Sequence, residues 1–132
     1  MKGRLLCIFA FITLLGSLIL LWKLDPSHSR HFPPCPFHYL TGLYCPGCGT
    51  LRAMHSLLNG KILQALSFNL LSMLALPVIA WTLFAKWINC VFKVKIWTPK
   101  PSPWFSKAVL ITVIVFWILR NIPVEPFSWL AP

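Results

Sequence analysis

The chain has 132 residues, of which 58% are hydrophobic and 11% charged. A soluble domain carries about a quarter charged residues, so this composition excludes an ordinary water-solvated fold and points to one domain, residues 1–132, packed in lipid. Net charge is +10, from 12 Lys and Arg against Asp25 and Glu125. The basic residues sit at the ends of apolar runs rather than along one stripe. That pattern marks membrane topology and contact with the lipid bilayer, and no nucleic acid is expected as a partner.

The first apolar run is Leu5–Trp22, preceded by Lys2 and Arg4. As a helix it rises about 27 Å, close to the hydrocarbon thickness of about 30 Å. It is longer than a signal h-region and ends in Leu21-Trp22-Lys23-Leu24-Asp25-Pro26 without a small-residue cleavage site, so an uncleaved anchor is expected. Residues 23–49 form a loop of different character. It holds Pro26, Pro33, Pro34, Pro36 and Pro46, three of the four histidines and three of the five cysteines. Proline lacks a donor and disfavours helix before itself, so no span crosses here. His28 and His31 are expected to be plain loop residues.

A short helix is expected over Thr50–Asn59, where Leu51, Met54, Leu57 and Leu58 recur at helical spacing and Arg52, His55, Ser56 and Asn59 fall largely off that stripe. Thr50 can cap its start and Gly60 can end it in the left-handed conformation. Ten residues cannot cross a bilayer, so an amphipathic segment lying at the interface is expected over residues 50–68, with Lys61–Phe68 as its second stretch. The second span reads 69–88, with Pro77 tolerated as a kink. A basic linker follows. The third span, 104–121, has its wholly apolar or neutral part at Ala108–Leu119, about 18 Å of helix. It crosses with Trp104 and Phe105 at one interface and Arg120 and Asn121 at the other, through snorkelling of Lys107 and Arg120.

Three spans put Lys2, Arg4, Lys86, Lys93, Lys95, Lys100 and Lys107 on one side, against Lys23, Arg30, Arg52, Lys61 and Arg120 on the other. Seven against five places the N-terminus in the cytoplasm of a multi-pass cell-membrane protein, with the cysteine loop on the outer face. Cys35, Cys45 and Cys48 would then meet an oxidising compartment. Cys7 and Cys90, on the inner side, are expected to be small apolar residues or free thiols.

The chemistry concentrates in Cys35…Cys45-Pro46-Gly47-Cys48-Gly49. A Cys-x-x-Cys spacing lets two sulfurs share a metal or a disulfide, and Gly47 and Gly49 permit positive φ around them. Cys-Pro-x-Cys-Gly is the kind of knuckle found in zinc ribbons, whose sites take four ligands. Here one knuckle is joined by Cys35, His38 and His55 as further candidates, His55 being the histidine expected to face the cysteines. Zinc is the cofactor this set suggests. A redox pair of Cys45 and Cys48, its thiolate favoured by the following helix and Arg52, is the alternative, although the βαβ context of thioredoxin-like folds is missing. A structural disulfide or packed thiols would need neither. Arg52, Asn69, Arg120, Asn121 and Glu125 gather near the same end, where ionisable groups are costly, and Glu125 is a candidate partner for Arg52 or Arg120. No paired carboxylates, Ser-His-Asp order, phosphate-cradling loop or HExxH is present, so whether the chain is an enzyme stays open.

Cys35-Pro36-Phe37, Thr41-Gly42-Leu43-Tyr44-Cys45-Pro46-Gly47-Cys48-Gly49, Arg52-Ala53 and Leu57-Leu58-Asn59-Gly60 resemble the DUF2752 family of small bacterial membrane proteins. Ala65-Leu66, Asn69 and Arg120-Asn121-Ile122-Pro123 extend the resemblance to residues 35–125. One departure is Leu51, where the family often has Thr directly before the arginine. The resemblance implies membrane location and singles out the knuckle, but implies no reaction. The expectation is thus an all-α membrane protein of about three spans, with an interfacial helix behind a cysteine knuckle. The knuckle binds a metal or carries a disulfide and supports a partner, possible partners including another membrane protein. The alternatives are a membrane thiol–disulfide oxidoreductase and a structural subunit of a membrane assembly.

Overall fold

The computed structural model describes residues 2–27, 32 and 35–131. His28, Arg30 and His31 lie outside these described residues. Among them the chain is all-helical, with no strand: α1 (Lys2–Lys23), α2 (Pro36–Thr41), α3 (Thr50–Leu58), α4 (Ile62–Phe68), α5 (Leu70–Phe92), α6 (Pro103–Leu119) and a 3-10 turn at Phe127–Leu130.

α1 and α5 are long and apolar enough to cross a membrane, and only 6% and 11% of their apolar windows are buried. Core helices of a soluble domain are mostly covered by protein. Helices solvated by lipid need not be, because their backbone groups are satisfied internally. α6 is largely apolar, with Lys107 in its second turn, but has 17 residues, about 25 Å of rise.

α1 and α5 run antiparallel. At one end Arg4 Nε donates to the Val91 carbonyl at 2.7 Å, and Phe11 stacks on Trp87 with ring centroids 4.3 Å apart. Cys7 and Cys90 form a disulfide there, which corrects the expectation of two separate thiols. Sequence spacing could not show this pairing, since the two residues are 83 positions apart and meet only because the helices align. Past α5, Lys93 takes a left-handed φ of 57°. Asn89 then pins the linker, accepting from the Ile96 N–H at 2.7 Å and donating to its carbonyl at 3.1 Å. Ser102 caps α6 by accepting from the Phe105 N–H at 3.2 Å, with Pro103 at the first helical position, where no N–H is needed.

The opposite end carries the loop and the short helices. The proline-rich segment is not wholly irregular, because α2 begins on Pro36 and stops at Gly42, whose φ is 72°. Proline breaks a helix interior but suits a helix start, which is why it marked a loop in the sequence and a helix here. α3 starts from Gly49 rather than from a Thr50 cap; the Thr50 hydroxyl instead lies 2.8 Å from Ser72 Oγ. Its far end closes as expected at Gly60, φ 75°, with Gly60 N–H donating to Leu57 and Lys61 N–H to Ser56, the two bonds of a Schellman ending.

The buried core is small. Ala53, Ala65 and Met73 bring α3, α4 and α5 together, flanked by Leu57, Leu66 and Phe68. Ser56 is also buried, while Leu51 is 51% exposed. The helix α3 therefore turns Ala53, Ser56 and Leu57 to protein, while Leu51 and Leu58 of its leucine stripe face outward.

Ala53 and Ala65 have no exposed surface at all, so a larger side chain has nowhere to go. Ala65→Leu should lower the midpoint of thermal unfolding in detergent, by an overpacking cost of about 1–3 kcal/mol. Leu63→Ala, at a position 84% exposed, should leave that midpoint unchanged.

Candidate metal centre

Cys35 precedes α2, and its position is held by the Tyr39 N–H, which donates to the Cys35 carbonyl at 2.9 Å. After Gly42 the chain returns through Leu43 and Tyr44 to the knuckle. Cys48 N–H donates to the Cys45 carbonyl at 3.1 Å, and Cys45 N–H points at Cys48 Sγ at 3.2 Å. Of the two glycines expected to use positive φ, Gly49 does, at 83°, and Gly47 does not. At Gly49 a side chain would be strained, because the left-handed region is open mainly to glycine.

This folding gathers three sulfurs. Cys45 Sγ is 2.9 Å from Cys48 Sγ and 3.5 Å from Cys35 Sγ, and all three lie within 4.8 Å of one another. The sulfurs differ electrically. The nearby His38 backbone N–H is the main cause that lowers the Cys35 thiol to about 7. Burial is the main cause that pushes Cys48 up to about 12, helped by its hydrogen bond with Cys45.

The knuckle backbone is gripped from two distant helices. Asn69, fully buried, donates to the carbonyls of Pro46 (3.0 Å) and Cys48 (3.1 Å) and to Thr50 Oγ1 (3.2 Å). Its Oδ1 meanwhile accepts from Ser72 N–H and caps α5. Arg120, 1% exposed, donates through Nη1 to Cys45 and Pro46 carbonyls (3.0 and 3.3 Å) and through Nη2 to Cys48 (3.2 Å). The Tyr44 and Phe116 rings flank its guanidinium. Asn121 accepts from the Tyr44 N–H at 2.8 Å and donates to its carbonyl at 2.9 Å. Asn69, Arg120 and Asn121 thus converge on one turn from more than 20 to nearly 80 positions away.

Two expected contacts are not made. His55 does not turn to the cysteines: its Nδ1 donates to the Leu21 carbonyl at 2.7 Å, leaving Nε2 to face Asn59 Nδ2 at 3.4 Å. The end of α1 claims this ring, a contact no local pattern announces. Arg120 has carbonyl and aromatic partners in place of Glu125, and Arg52 lies over the Phe68 ring at 5.6 Å. Tyr44 is a residue the sequence did not single out. Its ring stacks on His38, centroids 4.5 Å apart, and its backbone is the strip that Asn121 holds. A cleft of about 570 Å3 opens over the knuckle, lined by Cys35, His38, Tyr44, Cys45, Cys48 and Arg52 among others.

The family model described as a protein of unknown function, DUF2752, matches residues 35–83. The resemblance to DUF2752 holds over that segment. It contains the three cysteines, α3, α4 and Asn69, whereas Arg120 and Asn121 stand beyond the DUF2752 match and enter the site by folding. No curated protein and no solved structure matches the chain.

In metal-free protein, Cys35 should alkylate first, its rate rising through about pH 7 as the thiolate forms, and Cys48 last; mass spectrometry of labelled peptides reads the order. Arg120→Ala should weaken the knuckle by about 1–3 kcal/mol, the worth of hydrogen bonds to a charged donor, and open Cys48 to alkylation. Arg120→Lys should rescue only partly, since an ammonium lacks the planar fork.

Proposed function

We propose that this chain is a multi-pass membrane protein whose cysteine knuckle binds a soft metal ion, zinc first, in support of a partner or pathway at the membrane. The observation that carries the reading is the three-sulfur cluster within 4.8 Å. Tetrahedral zinc–thiolate bonds of about 2.3 Å set sulfurs about 3.8 Å apart. Separations of 2.9 and 3.5 Å reach that value by small shifts of side chains on a braced backbone. Three thiolates around a divalent ion carry net negative charge, and the buried Arg120, which meets no carboxylate among the described residues, interacts with the Cys45 and Cys48 sulfurs. A cation held there without a counter-ion would be costly, so an anionic centre suits the site better than a neutral disulfide.

A thiol–disulfide role is the second reading, favoured by the 2.9 Å between Cys45 and Cys48. Metal analysis and thiol counting on protein extracted in mild detergent separate the two. The metal reading expects about one zinc per chain, lost in Cys45→Ser. Protein free of metal, with a reversible Cys45–Cys48 bond trapped in cells, would establish the redox role instead.

For location we take the bilayer, with α1, α5 and the shorter α6 as three spans, and the knuckle on the outer face by the count of flanking lysines and arginines. The Cys7–Cys90 disulfide favours the opposite orientation, because such bonds persist in oxidising compartments. Labelling of intact cells with a membrane-impermeant thiol reagent, after a chelator has stripped any metal, should modify Cys35; protection of Cys35 in the chelated cells together with an oxidised Cys7–Cys90 pair would reverse the topology.

A further inference from the structure

We infer that His38 supplies the fourth donor of the Cys35, Cys45 and Cys48 centre, making it a three-sulfur, one-nitrogen site. The inference rests on the metal reading above and adds the ligand that reading lacks. Three thiolates leave one position of a tetrahedral ion open, and a closed structural site fills it from protein.

Position points to this residue. Cys35 is the residue just before α2 and His38 lies in the first turn of that helix, so three positions separate the two donors. The chain thus reads Cys-x-x-His across the start of α2 and Cys-x-x-Cys in the knuckle, two donor pairs of the same spacing. Both pairs line the same cleft. The second observation is an unmet bond. His38 Nδ1 is buried and has no hydrogen-bond partner, whereas His55, the other described histidine, has both ring nitrogens engaged. A buried imidazole nitrogen without a partner costs free energy, and coordination is one way to satisfy it.

The ring nitrogens stand outside the three-sulfur set as the structure shows it, since the ring lies flat on Tyr44, 10° from parallel. Ligation therefore calls for rotation of this one side chain, while α2 and the knuckle keep their places. His55 is already bound to α1, and Arg52 is a cation. Neither competes for the position.

Cobalt(II) loading of the full chain in mild detergent tests the assignment, because sulfur-to-cobalt charge transfer reports thiolates and the visible ligand-field bands report the whole donor set. The native chain should give tetrahedral bands with thiolate charge transfer. His38→Ala should keep the charge transfer, change the ligand-field bands and weaken zinc binding at least about tenfold, since even groups that only support a ligand cost 10–100-fold on loss. His38→Cys should restore affinity with bands of a four-sulfur site, showing that the alanine chain failed for want of a donor rather than a fold. Native spectra and native affinity in His38→Ala would overturn the assignment and leave the fourth position to water or an outside ligand. Absence of thiolate–cobalt charge transfer in the native chain would overturn the metal reading itself.

Discussion

A buried guanidinium whose hydrogen bonds all end on carbonyls organises this protein. Arg120 is nearly inaccessible, and its hydrogen bonds end on the backbone of Cys45, Pro46 and Cys48. With three of the turn's carbonyls pointing at one cation, the charge shapes the knuckle as well as holding it. Asn69 does the same from the opposite side without charge, and caps α5 with its other end. The knuckle is therefore tied to the start of one long helix and the end of another. Small displacements of those helices would be felt directly at the sulfurs.

This bracing substitutes for a core. The buried apolar cluster of α3, α4 and α5 is built on two alanines and a methionine, far too little to hold a helical domain together in water. Polar contacts at the knuckle end and the α1–α5 seam at the other supply what is missing. In lipid, helix association relies on close packing and side-chain hydrogen bonds rather than on burial of apolar surface. Ala53, Ala65, Asn69 and Asn121 are the residue types such packing uses.

The two ends differ in sulfur chemistry. One holds Cys7 and Cys90 in a bond between helices; the other holds three free thiols on a short turn. In the first, the sulfurs join two separate elements. In the second, two of the sulfurs differ in electrical setting: an N–H from α2 acts on Cys35, and burial acts on Cys48. Unequal thiols on a rigid turn are suited to holding something between them, and the Tyr44–His38 stack forms one wall of the cleft where it would sit.

The amino-acid order alone determined the all-helical class, the long apolar helices, the left-handed helix ending at Gly60 and the cysteine turn as the place where candidate ligands gather. Each of these follows from interactions within a few residues: hydropathy over one helix, φ at one glycine, the reach of two sulfurs three positions apart. Asn69, Arg120 and Asn121 were legible as polar residues near one membrane end, but not as three grips on one turn. Only the tertiary structure decided that, along with the Cys7–Cys90 pairing, the turning of His55 to Leu21 and the preference of Arg120 for carbonyls over Glu125. The physical reason is range. A carbonyl carries no residue identity, and helix alignment over tens of positions leaves no periodic trace, so such partners become visible only once the chain is folded.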